Sequence, residues 1–186
     1  MAVNRGKQFE NIVKESFEKV EGVSVDRLHD QTTGYMGSSN ICDFIVYRKP
    51  YEYYFECKSV HGNTLSIHSI PKADKHGVLH GHYGNITDTQ WEGLLEKSKI
   101  NGVTAGIICW WVDRDVTMFL SIHLLKYLYS QGFKSVPYNL IEKAPTIDLC
   151  LNQSAIEING KKKRVFFDYD MKEFLGRLDN GSGKSV

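Results

Sequence analysis

Two short apolar runs carry the residues with the most chemical meaning. Asp43 stands near the start of the first, Cys42-Asp43-Phe44-Ile45-Val46-Tyr47, while Glu56 and Lys58 stand in the second, Tyr53-Tyr54-Phe55-Glu56-Cys57-Lys58-Ser59. Side chains alternate faces along a strand, so Glu56 and Lys58 project to one side and Phe55 and Cys57 to the other. The intervening Arg48-Lys49-Pro50-Tyr51-Glu52-Tyr53 reads as a turn, which lets the runs pair as a hairpin and sets Asp43 beside Glu56. Two carboxylates and a cation then share one small volume. Such a set suits Mg²⁺, with Mn²⁺ as a substitute, because a hard ion takes oxygen ligands, keeps several waters and meets substrate phosphate. The ion can acidify a water and stabilise charge on the phosphoryl oxygens during in-line attack. Lys58 would orient that water or offset charge at the scissile phosphate. A plain hairpin with a surface Glu/Lys pair shows the same triplet, so the surrounding chain has to decide.

A third carboxylate lies at the N-terminus. Asn4-Arg5-Gly6-Lys7-Gln8-Phe9-Glu10 opens a segment in which Phe9, Val13, Phe17 and Val20 recur at helical spacing. The spacing predicts a helix from about Arg5 to Glu21, with Glu10 beside the apolar stripe and able to look toward the sheet. An isolated helix glutamate is more often solvated.

Taken together, these residues resemble the Holliday-junction resolvases of the PD-(D/E)xK nuclease superfamily, and most of all the bacterial and phage RecU family. The resemblance is carried by Asn4-Arg5-Gly6 with Phe9-Glu10, by Ser38-Ser39-Asn40-Ile41-Cys42-Asp43-Phe44, by Phe55-Glu56-Cys57-Lys58 and by Thr89-Gln90. The order is also similar to that of the archaeal resolvases, and it covers most of Asn4 to His123. It implies a restriction-endonuclease-like core, a metal site of Glu10, Asp43 and Glu56, catalytic assistance from Lys58, and a place for Gln90 near the reacting atoms. It also implies a homodimer acting on four-way DNA junctions alongside host or phage recombination proteins. Two departures stand out: Cys42 replaces the proline that names the superfamily, and Pro71 to Asn85 is long for a connection between the core and the next helix.

Composition sets the outer bounds. The 186 residues fit a single nuclease domain over 1–178 with a Gly/Ser-rich, fraying tail over 179–186. The formal net charge is only +1, so a nucleic-acid surface has to come from local clusters: Arg5 with Lys7, Arg48-Lys49, or Lys161-Lys162-Lys163-Arg164. Further DNA contacts are expected from His68 and from Tyr35-Met36, a Gly-flanked tip in the Asp30 to Asn40 loop that can wedge into an open junction centre. Four cysteines, at 42, 57, 109 and 150, lie mostly in apolar runs and read as reduced core thiols. With no signal segment and no membrane-spanning stretch, a cytoplasmic location and no membrane partner are expected.

The elements that must position these residues form an α/β pattern with a mixed central β-sheet flanked by helices. After the first helix come a short Val23 to Leu28 strand, the two site-bearing strands and an extended Leu65-Ser66-Ile67. A helix from about Asp88 to Lys99 follows, ending at Asn101-Gly102. Thr104 to Val112 reads as a strand buried on both faces, turned by Asp113-Arg114-Asp115 into Val116 to Ile122. His123 to Ser130 reads as a helix closed by Gly132. Trp110 is expected in the core, with Trp111 facing the other way over the sheet or a subunit contact, and Tyr51, Tyr53 and Tyr54 are candidate base-stacking platforms. Farther on, Ala155 to Ile158 and Arg164 to Tyr169 are expected to form a hairpin around Asn159-Gly160, before a short helix from Met171 to Leu178. Five of the seven histidines fall between His61 and His82, but the glycines and the lack of cysteine there favour a loop over a zinc site. Other readings are a restriction- or repair-type nuclease on other DNA, and a nuclease-like module that holds DNA or a recombinase without cutting.

Overall fold

The computed structural model describes residues 4–28, 40–67, 71–73, 76, 79–82, 84–143, 154–164 and 167–182. In chain order the elements are α1 (Arg5–Glu18), β1 (Ser24–Arg27), β2 (Phe44–Arg48), β3 (Tyr51–Val60), β4 (Thr64–Ser66), β5 (Pro71–Ala73), β6 (Leu79–His82) and α2 (Asp88–Lys97). They continue as β7 (Val103–Trp111), β8 (Val116–Ser121), α3 (Ile122–Ser130), β9 (Ser135–Pro137), α4 (Leu140–Lys143), β10 (Ala155–Glu157), β11 (Gly160–Lys162), β12 (Phe167–Tyr169) and α5 (Met171–Ser182).

Six strands make the central sheet in the order β1-β2-β3-β7-β8-β10. All neighbours are antiparallel except β3 and β7, which run parallel because the connection through α2 carries the chain back to the end of the sheet where β3 begins. The mixed α/β core expected from the sequence is the one observed. Alternation sorts the side chains into two layers. Phe9, Val13 and Phe17 of α1 and Phe174, Leu175 and Leu178 of α5 pack with Phe44, Phe55, Ile108, Trp110 and Phe119 on one face. Leu94 of α2 and Leu124, Leu125 and Leu128 of α3 pack with Tyr54, Ile107, Trp111 and Leu120 on the other.

Close approach fixes the seat of α2. A Cβ on Gly93 would lie 2.3 Å from Ile41 Cγ2, so the bare glycine lets the helix rest against the segment that carries Asp43. The helix ends at Lys97 rather than Lys99, and Gly102, at φ +82°, shapes the turn that follows.

The structure corrects several expectations. Ala155–Glu157 pairs with β8, and Gly160–Lys162 pairs with Phe167–Tyr169, so the hairpin does not turn at Asn159-Gly160. Ile156 and Ile158 are buried, and their two-residue period draws this stretch into the main sheet while the lysines that follow stay in solvent. Trp111 is fully buried, which excludes it from a subunit contact, and Tyr53 and Tyr54 are buried too. The last helix runs on to Ser182, with Asp179 accepting from the Tyr53 hydroxyl and pairing with Arg48 at 3.0 Å, so the tail does not fray from residue 179.

Candidate active site

β3 has ten residues and β2 only five, so their register ends at Phe44 opposite Phe55 and the far half of β3 outruns its partner. The ladder is finished locally by one residue. Asp43 N–H donates to the Phe55 carbonyl at 3.1 Å, and its own carboxylate Oδ2 then accepts from Cys57 N–H at 2.7 Å, where a strand carbonyl would otherwise stand. Asp43 is thereby locked against Glu56 and Lys58, on the side of β3 that β2 leaves open.

Glu56 is 4% exposed, yet it is not alone. Its Oε1 lies 2.7 Å from Lys58 Nζ and accepts from Gln90 Nε2 at 2.5 Å, while Gln90 Oε1 accepts from Lys58 Nζ at 3.3 Å. Glu56, Lys58 and Gln90 thus close a three-membered ring of polar contacts on the α2 side of the sheet. Burial pushes the Glu56 carboxyl up to about 8; Asp43 adds to the rise, Lys58 opposes it, and the Glu10 charge adds a smaller push. Burial also raises the Asp43 carboxyl, against the lowering effects of Cys57 N–H, of Lys58, and of a hydrogen bond shared with Glu56. Two carboxyl groups close enough to share a proton have too little positive charge around them.

That deficit of positive charge is what a bound cation would fill. Asp43 and Glu56 set two carboxyl groups side by side, and oxygens from paired carboxylates are the donors a hard divalent ion takes. Glu10 does not yet join them. Its carboxylate accepts from Arg27, whose other nitrogen donates to Asn11 Oδ1 at 2.8 Å, and the Arg27 charge also reaches Asp43. Among the described residues no three His, Cys, Asp or Glu side chains converge as a ready metal cluster.

The structure therefore brings Asp43, Glu56, Lys58 and Gln90 into one network, with Glu10 at its electrostatic margin. Arg5 and Lys7 are exposed at the start of α1, where Asn4 caps the helix by accepting from Lys7 N–H at 3.2 Å. Tyr35, Met36 and His68 lie outside the described residues, as does Cys150. Burial drives the Cys57 and Cys109 thiols upward, and burial with Glu56 and Asp43 alongside pushes Cys42 up to about 12, so these three are inert as nucleophiles at neutral pH.

Two residues escaped the sequence reading. Arg27, on an edge strand, looks like any surface arginine until its partner Glu10 is seen. Thr87 caps α2, and the Thr87-x-x-Gln90 spacing of a capping box was its signal. The basic run lies elsewhere: Lys162 pairs with Asp115 and Lys163 with Asp168, while Lys161 lines a cleft of about 810 Å³ together with Lys19, Arg48 and Lys172. None of the five site residues lines that cleft.

No protein-family model matches the sequence, and no curated protein matches it. Among solved structures, the Holliday junction resolvase Hjc of the archaeal hyperthermophile Archaeoglobus fulgidus is similar at 16% identity, over 63% of this chain and 78% of that one, with a TM-score of 0.38. So loose a likeness assigns no residue a role.

Proposed function

We propose that the chain is a divalent-metal-dependent DNA endonuclease whose substrate is the four-way junction. The observation that carries the nuclease reading is the buried Glu56 carboxyl, joined at once to Asp43, Lys58 and Gln90. A carboxyl pair held in so low a dielectric is costly, and a structural role alone would be met more cheaply by apolar residues. Asp43 and Glu56, with Glu10 at the margin, would hold Mg²⁺ or Mn²⁺. Bound there, the ion would supply an acidified water and charge stabilisation at phosphorus. Lys58, fixed by Glu56 and Gln90, orients the attacking water or neutralises the scissile phosphate. Its compact, three-donor ammonium suits either task.

Junction selectivity and a homodimeric active unit are supported by the resolvase resemblance over Asn4 to His123 and by the task itself. Two opposed strands must be cut symmetrically, and a two-fold assembly presents two sites in that relation. Arg5, Lys7, His68 and the Tyr35-Met36 tip are the proposed DNA contacts, and other recombination proteins the proposed partners. Among the described residues no helix is long and apolar enough to cross a membrane.

The test is incubation of the purified chain with labelled four-way junction, linear duplex and single-stranded DNA, with and without Mg²⁺. Metal-dependent, symmetric cutting of the junction alone is expected. Equal cutting of junction and duplex would replace the resolvase by a general endonuclease, and binding without cutting by a DNA-holding module. In Ca²⁺ the preference for junction over duplex should persist as salt is raised, although both affinities fall through counterion release.

A further inference from the structure

Gln90 serves two structures at once. As the third residue of α2 it closes a capping box with Thr87: its backbone N–H donates to Thr87 Oγ1 at 3.3 Å, and its side-chain Oε1 accepts from Thr87 N–H at 3.0 Å. The same side chain faces the site, with Oε1 also accepting from Lys58 and Nε2 donating to Glu56. A backbone N–H and an ammonium can only donate. The atom lying between Thr87 and Lys58 must therefore be the amide oxygen, which leaves the NH₂ group facing Glu56. Turned over, the amide would set its oxygen against a carboxyl and its NH₂ against an ammonium, losing all three contacts together.

The residue type follows from the same geometry. A capping box works with glutamate or glutamine at this position, and the helix N-terminus favours the negative one. Glutamate, however, has no N–H to offer Glu56 and would add a third carboxylate beside Asp43. The helix would accept either residue; the site accepts only the amide.

We propose that Thr87 is a positioning residue of the active site. Through the capping box it fixes the Gln90 amide with its NH₂ on Glu56 and its carbonyl on Lys58, and so holds the Glu56–Lys58 pair in register. The catalytic consequence rests on the nuclease reading, whereas the geometry does not. Thr87 itself is exposed, and its hydroxyl acts on the site through Gln90, the residue whose N–H it accepts from.

Two readouts on the full chain separate these claims. The first is solvent exchange of the Gln90 side-chain NH₂ protons by NMR, and the second is the split between kcat and KM for DNA cleavage. Wild type and Thr87→Ser should both show a protected Gln90 NH₂. Thr87→Val, which keeps the shape and loses the hydroxyl, should lose that protection and lower kcat roughly tenfold with KM little changed, and Thr87→Ser should restore kcat. Gln90→Glu keeps the cap but sets a carboxylate against Glu56, so its helix content by circular dichroism should stay near wild type while kcat falls at least as far. Should Thr87→Val fail to fold, Gln90→Glu decides alone, and wild-type kcat there overturns the proposal. A freely exchanging Gln90 NH₂ in wild type, protection unchanged in Thr87→Val, or unchanged kcat once protection is lost would each overturn it as well. If the wild-type chain cuts no DNA with metal, the proposed function fails, and amide exchange by itself then decides whether Thr87 sets Gln90.

Discussion

Strand β3 presents two faces that the molecule treats in opposite ways. Phe55 is buried in aromatic contacts, stacked on Phe17 at 5.5 Å between ring centroids, edge-on to Phe119 at 5.6 Å, and 5.7 Å from both Tyr53 and Phe174. One residue later Glu56 is almost as buried, but among a second carboxyl, an ammonium and an amide. Burying a phenyl ring gains stability, whereas burying a carboxyl costs it unless charge and hydrogen bonds offset the loss. The apolar face therefore holds the strand in place so that the polar face can remain short of positive charge. Apolar packing and a charged network are divided between alternate residues of one strand.

The largest effect should come from the apolar face. Phe55→Ala is expected to cost about 3–5 kcal/mol, a large share of a domain's total, read as a lower denaturant midpoint. A loss below about 1 kcal/mol would show that the α1 and α5 layer does not hold the strand.

The opposite face should respond with the opposite sign. The unfolded Glu56 carboxyl ionises near its ordinary value of 4.5, and the folded one only at about 8. Between these values the fold binds a proton that the unfolded chain lacks, so metal-free stability should fall as pH rises through that window, by on the order of a few kcal/mol. Glu56→Gln should flatten the fall and leave the variant the more stable protein at the alkaline end. Stability that holds level or rises across the window in wild type would contradict the assigned burial.

Next comes Lys58. Lys58→Ala should lower turnover roughly a hundredfold with a much smaller change in DNA affinity, because Glu56 and Gln90 hold the ammonium beside the proposed metal site. Equal losses in both would make it a plain phosphate contact. The smallest effect is expected at Gly93. Gly93→Ala forces Ile41 and α2 apart, costing about 1–3 kcal/mol by thermal or chemical unfolding, and turnover should fall with it as Gln90 is drawn from Glu56. An unchanged midpoint would mean that Ile41 yields freely.

How much of this was legible in the sequence depended on whether the cue was local. Asp43, Glu56 and Lys58 could be read because alternation within apolar runs is a property of neighbouring residues, and α2 because a stop such as Asn101-Gly102 is a local cue too; the Thr87-x-x-Gln90 cap was equally local and was missed. Arg27 could not, since its meaning lies in Glu10, far along the chain and on another element. The Asn159-Gly160 dipeptide carries a strong turn signal, yet Ile156 and Ile158 found burial against β8 and Tyr169, and tertiary packing set the register instead. Likewise a Gly/Ser-rich end looks loose, while Asp179 is tied down by Tyr53 and Arg48 from β3 and β2. The Tyr35-Met36 tip lies outside the described residues, whereas the His-rich stretch, expected as a loop, pairs Pro71–Ala73 with Leu79–His82 as two antiparallel strands.

The central claim is that Asp43 and Glu56 jointly hold the metal that cuts DNA. Its most direct test compares Mg²⁺-dependent cleavage of a labelled four-way junction by wild type, Asp43→Asn and Glu56→Gln, with binding measured in parallel in Ca²⁺. The account predicts cleavage by wild type only and junction binding by all three, because each substitution removes charge at the metal and keeps shape. Cleavage near the wild-type rate by either variant would contradict it.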